Sequence, residues 1–214
     1  MEGNKSGLSY RIKWITNIIK HGLFWHGVRN NFAKIGIDIM PYYWVSEATQ
    51  TIEPPEIRGN DKNFVLSVFG EKEIAFIKNT IIGIEEKDLM ADLKNGEICI
   101  GLKNNGIIAA YMFIKRQPFT FRNRYFHLKS NESYLHSMYT FEDYRGRNLA
   151  PYLRYYSYIH LENEGVDTFL SVSEYFNKST IKFKKKLKSQ PIYLFMSVVL
   201  FKKWTYSFKI KSYA

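Results

Sequence analysis

The sequence contains a single cysteine, Cys99, so no disulfide can form within the chain. One cysteine cannot make a thiolate zinc site, and the five histidines show no metal-ligand spacing. These absences predict a buried thiol in a reducing compartment, which we interpret as the cytoplasm, and a protein without a bound metal.

Long hydrophobic runs are also missing. The longest one covers residues 192–201 and is interrupted by Ser197, whereas a transmembrane helix needs about 20 apolar residues. The early apolar residues are broken by Asn17 and Lys20, which argues against a secretory signal. The sequence therefore predicts a protein that is cytoplasmic or peripheral to a membrane.

Acidic residues are absent from residues 178–214, which contain ten lysines. Because the formal net charge is +11, the first 177 residues carry only +1. So basic a surface favours a polyanionic partner, such as cofactor phosphates, anionic lipid or nucleic acid. Nucleic acid is the least favoured of the three, because residues 192–201 are too apolar to contact a groove.

The N-terminal segment, residues 7–35, mixes basic and aromatic residues and predicts a helix with one apolar face (Ile12, Ile15, Ile18, Ile19 and Leu23). Such a helix either lies on an anionic membrane or packs on the body of the protein, and we favour packing. Loop signals at Pro54-Pro55 and Gly59-Asn60 then divide the chain. We expect an extension over residues 1–55 and the main domain over residues 56–214.

The main domain alternates strand and helix patterns. Strands are expected at 63–68, 97–102, 107–115, 133–140, 168–172, 192–201 and 204–211. Helices are expected at 71–79 and 85–94, from about residue 149 or 150 onwards, and between the strand at 168–172 and residue 187. A basic aromatic linker, residues 119–129, adds a candidate strand, and Asn105-Gly106 predicts a hairpin turn. The order β-α-α-β-β-β-α-β-α-β-β indicates an α/β fold with a mixed central sheet.

One loop in this order has the composition of an anion site. It follows the strand at 133–140 and leads into the next helix, which begins near its end; its residues are Arg145, Gly146, Arg147, Asn148, Leu149 and Ala150. Small residues let the backbone approach a ligand, and the positive end of the helix dipole favours a phosphate. Asn148 tolerates the left-handed conformation that glycine usually supplies.

The R-G-x-x-x-A loop in this element order resembles the GCN5-related N-acetyltransferase (GNAT) superfamily over residues 60–214. Arg145, Gly146 and Ala150 match the family's loop, and Asn148 replaces its usual glycine. The resemblance implies acetyl-CoA as co-substrate, with its pyrophosphate on this loop. A second segment, residues 177–183, resembles the family's helix motif and implies a pantetheine contact for Asn177, which could also cap the helix.

The resemblance also implies the reaction centre. Strand amides around Met138, Tyr139 and Thr140 would meet the thioester carbonyl. Lys184 stands where the family often has a tyrosine that protonates the departing CoA thiolate. Its ammonium could stabilise that thiolate electrostatically, and Tyr175 is an alternative acid. The candidates for general base are Glu132, His136 and Glu174, with ordered water as a further alternative.

The function implied is N-acetyl transfer from acetyl-CoA to a primary amine, such as an amino sugar of envelope polysaccharide. Polyamine acceptors are disfavoured because like charges repel. The alternative is a non-catalytic GNAT-like module that binds acyl-CoA or a membrane surface. An anionic membrane surface and a homodimer remain open as partners.

Overall fold

The computed structural model of the protein describes residues 24–48, 53–59, 63–81 and 88–213. The apolar helical face predicted from Ile12 to Leu23 lies outside these residues, as does the start of the helix expected at 85–94. The helices are α1 (Phe24–Lys34), α2 (Glu71–Thr80), α3 (Leu89–Lys94), α4 (Leu149–Glu162) and α5 (Lys178–Lys186).

The strands follow the sequence pattern closely, with one addition before the predicted set and a short hairpin in the linker. They are β1 (Ile37–Glu47), β2 (Phe64–Phe69), β3 (Ile98–Asn104), β4 (Ile107–Lys115), β5 (Phe119–Phe121), β6 (Arg124–Phe126), β7 (Glu132–Thr140), β8 (Thr168–Glu174), β9 (Gln190–Leu200) and β10 (Trp204–Ser212).

Eight strands form one mixed sheet in the order β10-β9-β1-β8-β7-β4-β3-β2, and β5 pairs with β6 apart from it. The paired strands are antiparallel except for β7 and β8, which are parallel. The predicted mixed α/β architecture is therefore confirmed. The unexpected element is β1, which lies between β8 and β9, so part of the segment assigned to the extension is an internal strand.

Three apolar clusters cover the two faces of the sheet. On one face, α4 and α5 pack through Leu149, Leu153 and Leu187. On the other face, α2 and α3 pack through Ile74, Ile77 and Leu89. The β5–β6 hairpin covers the neighbouring part of that second face through stacked aromatic rings of Trp44, Phe126 and Tyr134.

A buried ionic network ties β1 to the helices of the first face. The Glu47 carboxylate accepts hydrogen bonds from Tyr158 and Ser171 and lies 3.2 Å from both Arg154 Nε and Lys184 Nζ. Burial opposes the charge on Glu47, but the two cations and the two hydroxyls outweigh it and lower the pKa of its carboxyl group to about 2. Glu47 is therefore ionised, and its partners come from β8, α4 and α5.

The described residues contain no helix that is both long enough and apolar enough to cross a membrane. Within the same ranges, no group of three or more His, Cys, Asp or Glu side chains is arranged to hold a metal ion.

Candidate active site

The loop between β7 and α4 takes the conformation that its small residues allow. Gly146 and Asn148 both have positive φ, +83° and +65°, and α4 begins at Leu149 as expected. The Asn148 side chain donates to the Glu56 carbonyl at 2.8 Å, so it does not cap α4, and no side chain does so in this described part of the chain. The start of α4 therefore presents its backbone donors without a competing side-chain acceptor.

A groove of about 580 Å³ adjoins this loop. Its walls are Glu53, Pro54, Pro55, Asn148, Pro151, Lys186, Leu187 and Lys188. The segment at 53–59 closes one side, where Arg58 N donates to the Arg147 carbonyl at 2.9 Å. Two lysines, one glutamate and the N-terminal end of the 14-residue helix α4 thus line one open groove. The excess of positive charge suits an extended anionic ligand.

The two predicted arginines make different contacts. Arg145 donates through Nε to the Thr140 carbonyl at 3.2 Å, and its guanidinium lies over the Tyr139 ring. Arg147 lies over the ring of Tyr144. Both residues are exposed, so their charges face solvent beside the loop.

The parallel pairing of β7 with β8 is short. It joins Glu132, Ser133 and Tyr134 to residues 168–170 and extends no further, although both strands are fully described. A bulge follows in β7, because the register with β4 shifts opposite Met112 and Ser137 has a φ of +48°. The pairing of the two strands therefore ends after Tyr134, just before the bulge, and the β7 edge around Met138, Tyr139 and Thr140 has no partner on β8.

His136 lies at the point of separation, one residue before the bulge. Its Nε2 is 2.7 Å from Glu97 Oε2, and its Nδ1 is 3.0 Å from the Ser137 hydroxyl oxygen. Lys115 Nζ contacts the other Glu97 oxygen at 2.6 Å. The imidazole also stacks on Tyr134, with a ring separation of 5.2 Å. His136 is thus held on several sides by fixed partners.

The protonation of this group follows from the acceptor chemistry of the carboxylate. Burial opposes ionisation of Glu97, but the hydrogen bonds from His136 and Lys115 outweigh it and lower the pKa of its carboxyl group. An ionised carboxylate only accepts, so His136 Nε2 carries the hydrogen of the bond to Glu97. Nδ1 and the Ser137 hydroxyl oxygen then form the second contact, in which a neutral ring would accept from the hydroxyl.

The surroundings of this pair come from α3. Burial, followed by the negative charge of Glu97, raises the pKa of the Asp92 carboxyl group. Phe113, which belongs to the cluster beneath α2 and α3, lies 6.0 Å from the His136 ring. His136 therefore occupies the α2–α3 face of the sheet.

The other predicted acids and bases lie elsewhere. Glu132 is at the start of β7 and accepts from Lys129 N at 3.0 Å, roughly 26 Å from the far end of the strand at about 3.3 Å per residue. Glu174, at the end of β8, is ion-paired with Arg29 at 2.7 Å. Tyr175 is half-exposed, with its ring 5.5 Å from that of Tyr43. The structure does not bring these residues together with His136.

The helix motif has a clear local role. Asn177 accepts from Thr180 N at 3.1 Å, so the prediction that it caps α5 is confirmed. Lys184 is buried: its Nζ donates to Ser171 at 2.6 Å and to the Val172 carbonyl at 3.1 Å, and it pairs with Glu47. Burial lowers the pKa of Lys184 to about 8 despite the Glu47 charge. Its ammonium therefore belongs to the buried network, and a role beside a thiolate stays a prediction.

The geometry described so far defines a class of α/β protein in which two parallel strands separate and a loop with positive-φ residues leads from the first of them into a helix. A sequence model of the acetyltransferase (GNAT) family matches residues 71–188, more than half of the chain. The protein therefore belongs to the GNAT acetyltransferase family, which uses acetyl-CoA as co-substrate.

Solved structures show the same fold at low sequence identity. A GNAT-family acetyltransferase from Colwellia psychrerythraea has a TM-score of 0.54 and 16% identity, covering 84% of this chain and 59% of its own. A GCN5-related N-acetyltransferase-like protein from Streptococcus suis has a TM-score of 0.52 and 11% identity, and the match covers 82% of this chain and 67% of that protein. A Drosophila protein solved by structural genomics has a TM-score of 0.57 and 13% identity, and the match covers 83% of this chain and 57% of that protein.

The chain thus spans less than two thirds of the length of the Drosophila and Colwellia proteins. No match was found among the curated proteins.

Sequence reasoning missed two residues whose side chains contact the candidate base His136 in the structure. Glu97 is 39 positions from His136 and looks like an ordinary strand-end carboxylate in the sequence. Ser137 directly follows His136, so its proximity was visible, but its positive φ was not. Only the pairing of β3, β4 and β7 brings the Glu97 carboxylate to the imidazole.

Proposed function

We propose that the protein transfers an acetyl group from acetyl-CoA to a primary amine, with His136 as the general base and Glu97 as the residue that positions it. The observation that carries this proposal is the hydrogen-bonded pair of Glu97 and His136, located where β7 separates from β8. A base that accepts at Nδ1 there lies next to the strand edge that family members offer to the thioester.

Three features support acetyl-CoA as the acyl donor. The α4 N-terminus and the loop at 145–148 offer backbone donors to a pyrophosphate. Lys186 and Lys188 add positive charge to the adjoining groove. The opening between β7 and β8 has an unpaired β7 edge that can hydrogen-bond to an extended pantetheine chain. When bound, acetyl-CoA supplies the activated acetyl group.

In the proposed reaction His136 receives the proton that the attacking amine loses, through the Ser137 hydroxyl, whose oxygen lies 3.0 Å from Nδ1. A bond forms between the amine nitrogen and the carbonyl carbon, and the carbon–sulfur bond breaks. A backbone amide from Met138 to Thr140 stabilises the developing oxyanion. His136 then returns its proton to the leaving thiolate, which leaves the base neutral for the next turnover.

The acceptor is proposed on charge. The formal net charge of +11 repels polycationic amines, so amines on neutral or anionic carriers are favoured. Amino sugars of envelope polysaccharide, free and nucleotide-linked, are therefore the first acceptors to assay.

The test is thiol release from acetyl-CoA with a panel of amines. His136→Ala is expected to lower kcat/KM by about 100-fold or more, as for the loss of a general base. Glu97→Gln is expected to lower it about tenfold, mainly through kcat, because the imidazole then loses the carboxylate that orients it. A purely structural role for Glu97 would instead lower the melting temperature and the rate together.

Glu164→Gln is the matched control, since Glu164 also contacts a histidine, His160 at 3.4 Å, and a cation, Arg116 at 3.2 Å, but on the surface. Glu164→Gln should leave kcat/KM for thiol release unchanged. Tight acetyl-CoA binding without thiol release on any amine would instead favour the non-catalytic acyl-CoA-binding module. Full activity of His136→Ala would rule out the proposed base.

A further inference from the structure

The strands β1, β9 and β10 share an apolar face that none of the described helices buries. Residues paired directly across antiparallel strands lie on the same face, and the register forms three rows across the three strands. The rows are Trp204, Leu200 and Ile37; Tyr206, Val198 and Ile39; and Phe208, Met196 and Pro41. We call these nine residues the apolar sheet face.

All nine residues of the apolar sheet face are at least partly exposed. The exposed fraction is 49% for Trp204, 60% for Tyr206, 51% for Phe208 and 48% for Ile39. On the opposite side of β1 and β9, by contrast, Met40, Tyr42 and Phe195 are buried in the cluster beneath the β5–β6 hairpin. A contiguous apolar patch three strands wide is larger than the scattered apolar residues of an ordinary surface, and it indicates an interaction site.

The turn between β9 and β10 extends the patch at one end. Phe201 and Lys202 both have left-handed backbone conformations, with φ of +53° and +57°, although neither is glycine or asparagine. The Phe201 side chain is 70% exposed and its ring meets that of Trp204 edge-on. A bulky aromatic residue is unfavourable in this conformation. Its presence at the tip of the β9–β10 turn is therefore consistent with a function for the exposed Phe201 ring.

Lysines surround the patch without any acidic residue in their part of the sequence. Lys202 and Lys203 lie at the tip, and Lys211 is paired with Leu194 near the other end of β10. Residues 178–214 contain no Asp or Glu. The nearest carboxylate along β1, that of Asp38, is directed to the opposite side, where Arg29 and Arg122 neutralise it.

We propose that the apolar sheet face, with the turn at 201–203, docks on an anionic lipid bilayer. Trp and Tyr favour the polar boundary of a membrane, and Phe201 would enter below it. The lysines would contact the lipid phosphates while their stems lie along apolar surface. A second copy fits less well, because two such faces would bring lysines together with no carboxylate between them.

The experiment measures co-sedimentation of the full chain with vesicles of phosphatidylcholine alone and with equimolar phosphatidylglycerol. The chain is expected to bind the anionic vesicles at least tenfold more tightly, and added salt should weaken that binding. The double variant Tyr206→Ser and Phe208→Ser should reduce binding to the anionic vesicles at least tenfold. Its control is Phe76→Ser, which removes a ring of similar exposure, 48%, from α2.

A second double variant, Lys202→Glu and Lys203→Glu, keeps every apolar residue and should reduce binding to anionic vesicles roughly tenfold or more. Lys72→Glu with Lys94→Glu makes the same charge change on exposed helix positions and serves as its control. Equal binding to both vesicle types, no binding, or unaffected binding by the serine variant would overturn the proposal. So would sedimentation velocity showing a dimer that the serine variant dissociates while vesicle binding is unchanged.

Discussion

Removing the charge of Glu47 tests the network that holds β1 in the sheet. Glu47→Gln keeps the shape of the side chain but leaves Arg154 and Lys184, each 3% exposed, without their carboxylate. The pKa of Glu47 falls from 4.5 to about 2 in the folded state, a difference that corresponds to about 3 kcal/mol of stabilisation at neutral pH. Removal of one partner of a buried ion pair gives a similar value, about 3–5 kcal/mol.

The Lys184 partner moderates this value. Burial already lowers the pKa of Lys184 to about 8, and the Glu47 charge opposes that decrease. Without the charge Lys184 can lose its proton near neutral pH, which relieves part of the penalty. We therefore expect the free energy of unfolding to decrease by about 3 kcal/mol at pH 7, the lower end of the range.

Urea denaturation followed by circular dichroism measures this change. Because the folded pKa of Glu47 is depressed, its contribution is complete above the unfolded pKa near 4.5 and is lost as the pH falls towards 2. The difference between wild type and Glu47→Gln should therefore shrink over that interval. Glu164→Gln, which breaks a surface pair, should change stability by less than about 1 kcal/mol. A neutral-pH loss below that value, or one independent of pH, would refute the reasoning.

Three further perturbations follow from single sites. Arg145→Glu should weaken acetyl-CoA binding in calorimetry roughly tenfold or more by placing an anion beside the loop, whereas Arg116→Glu should not; equal affinities would contradict the assigned loop. Gly101→Ala should lower the free energy of unfolding by about 1–3 kcal/mol, because the new Cβ would lie 2.1 Å from the Phe69 ring; an unchanged melting temperature would contradict this contact. Cys99 is fully buried and its pKa is raised by burial, so Ellman's reagent should react only as the protein unfolds, and rapid labelling under native conditions would contradict it.

The conformation of the loop at residues 145–150 was predictable, because it depends on the residue types within the loop itself. Gly146 and Asn148 are the residue types that accept positive φ, and both have it. The start of α4 and the Asn177 cap also depend on neighbours a few positions away. Such short-range features can be read from one sequence without knowing the sheet.

The contact between Glu97 and His136 and the position of β1 in the sheet were not predictable, because both depend on pairings between distant strands. Glu97 reaches His136 only through the register of β3, β4 and β7. Proline lacks a backbone donor and is rare in internal strands, so Pro41 conceals the internal position of β1 in the sequence. In the structure the Pro41 carbonyl accepts from Tyr175 N, just past the last residue of β8, so its missing N–H falls where that ladder ends.

The place of β1 in the sheet has a consequence for the order in which the protein folds. During synthesis β1 is made before either of its neighbours, and its contact between Glu47 and Ser171 spans 124 residues. The strand must therefore wait, with its aromatic residues unpaired, until β8 and β9 have been made. Contacts this distant in sequence slow folding and prolong the exposure of an aggregation-prone edge. A nascent chain that ends before β9 cannot complete the sheet. The synthesis of β8 and β9 therefore determines when both edges of β1 become paired and are protected from aggregation.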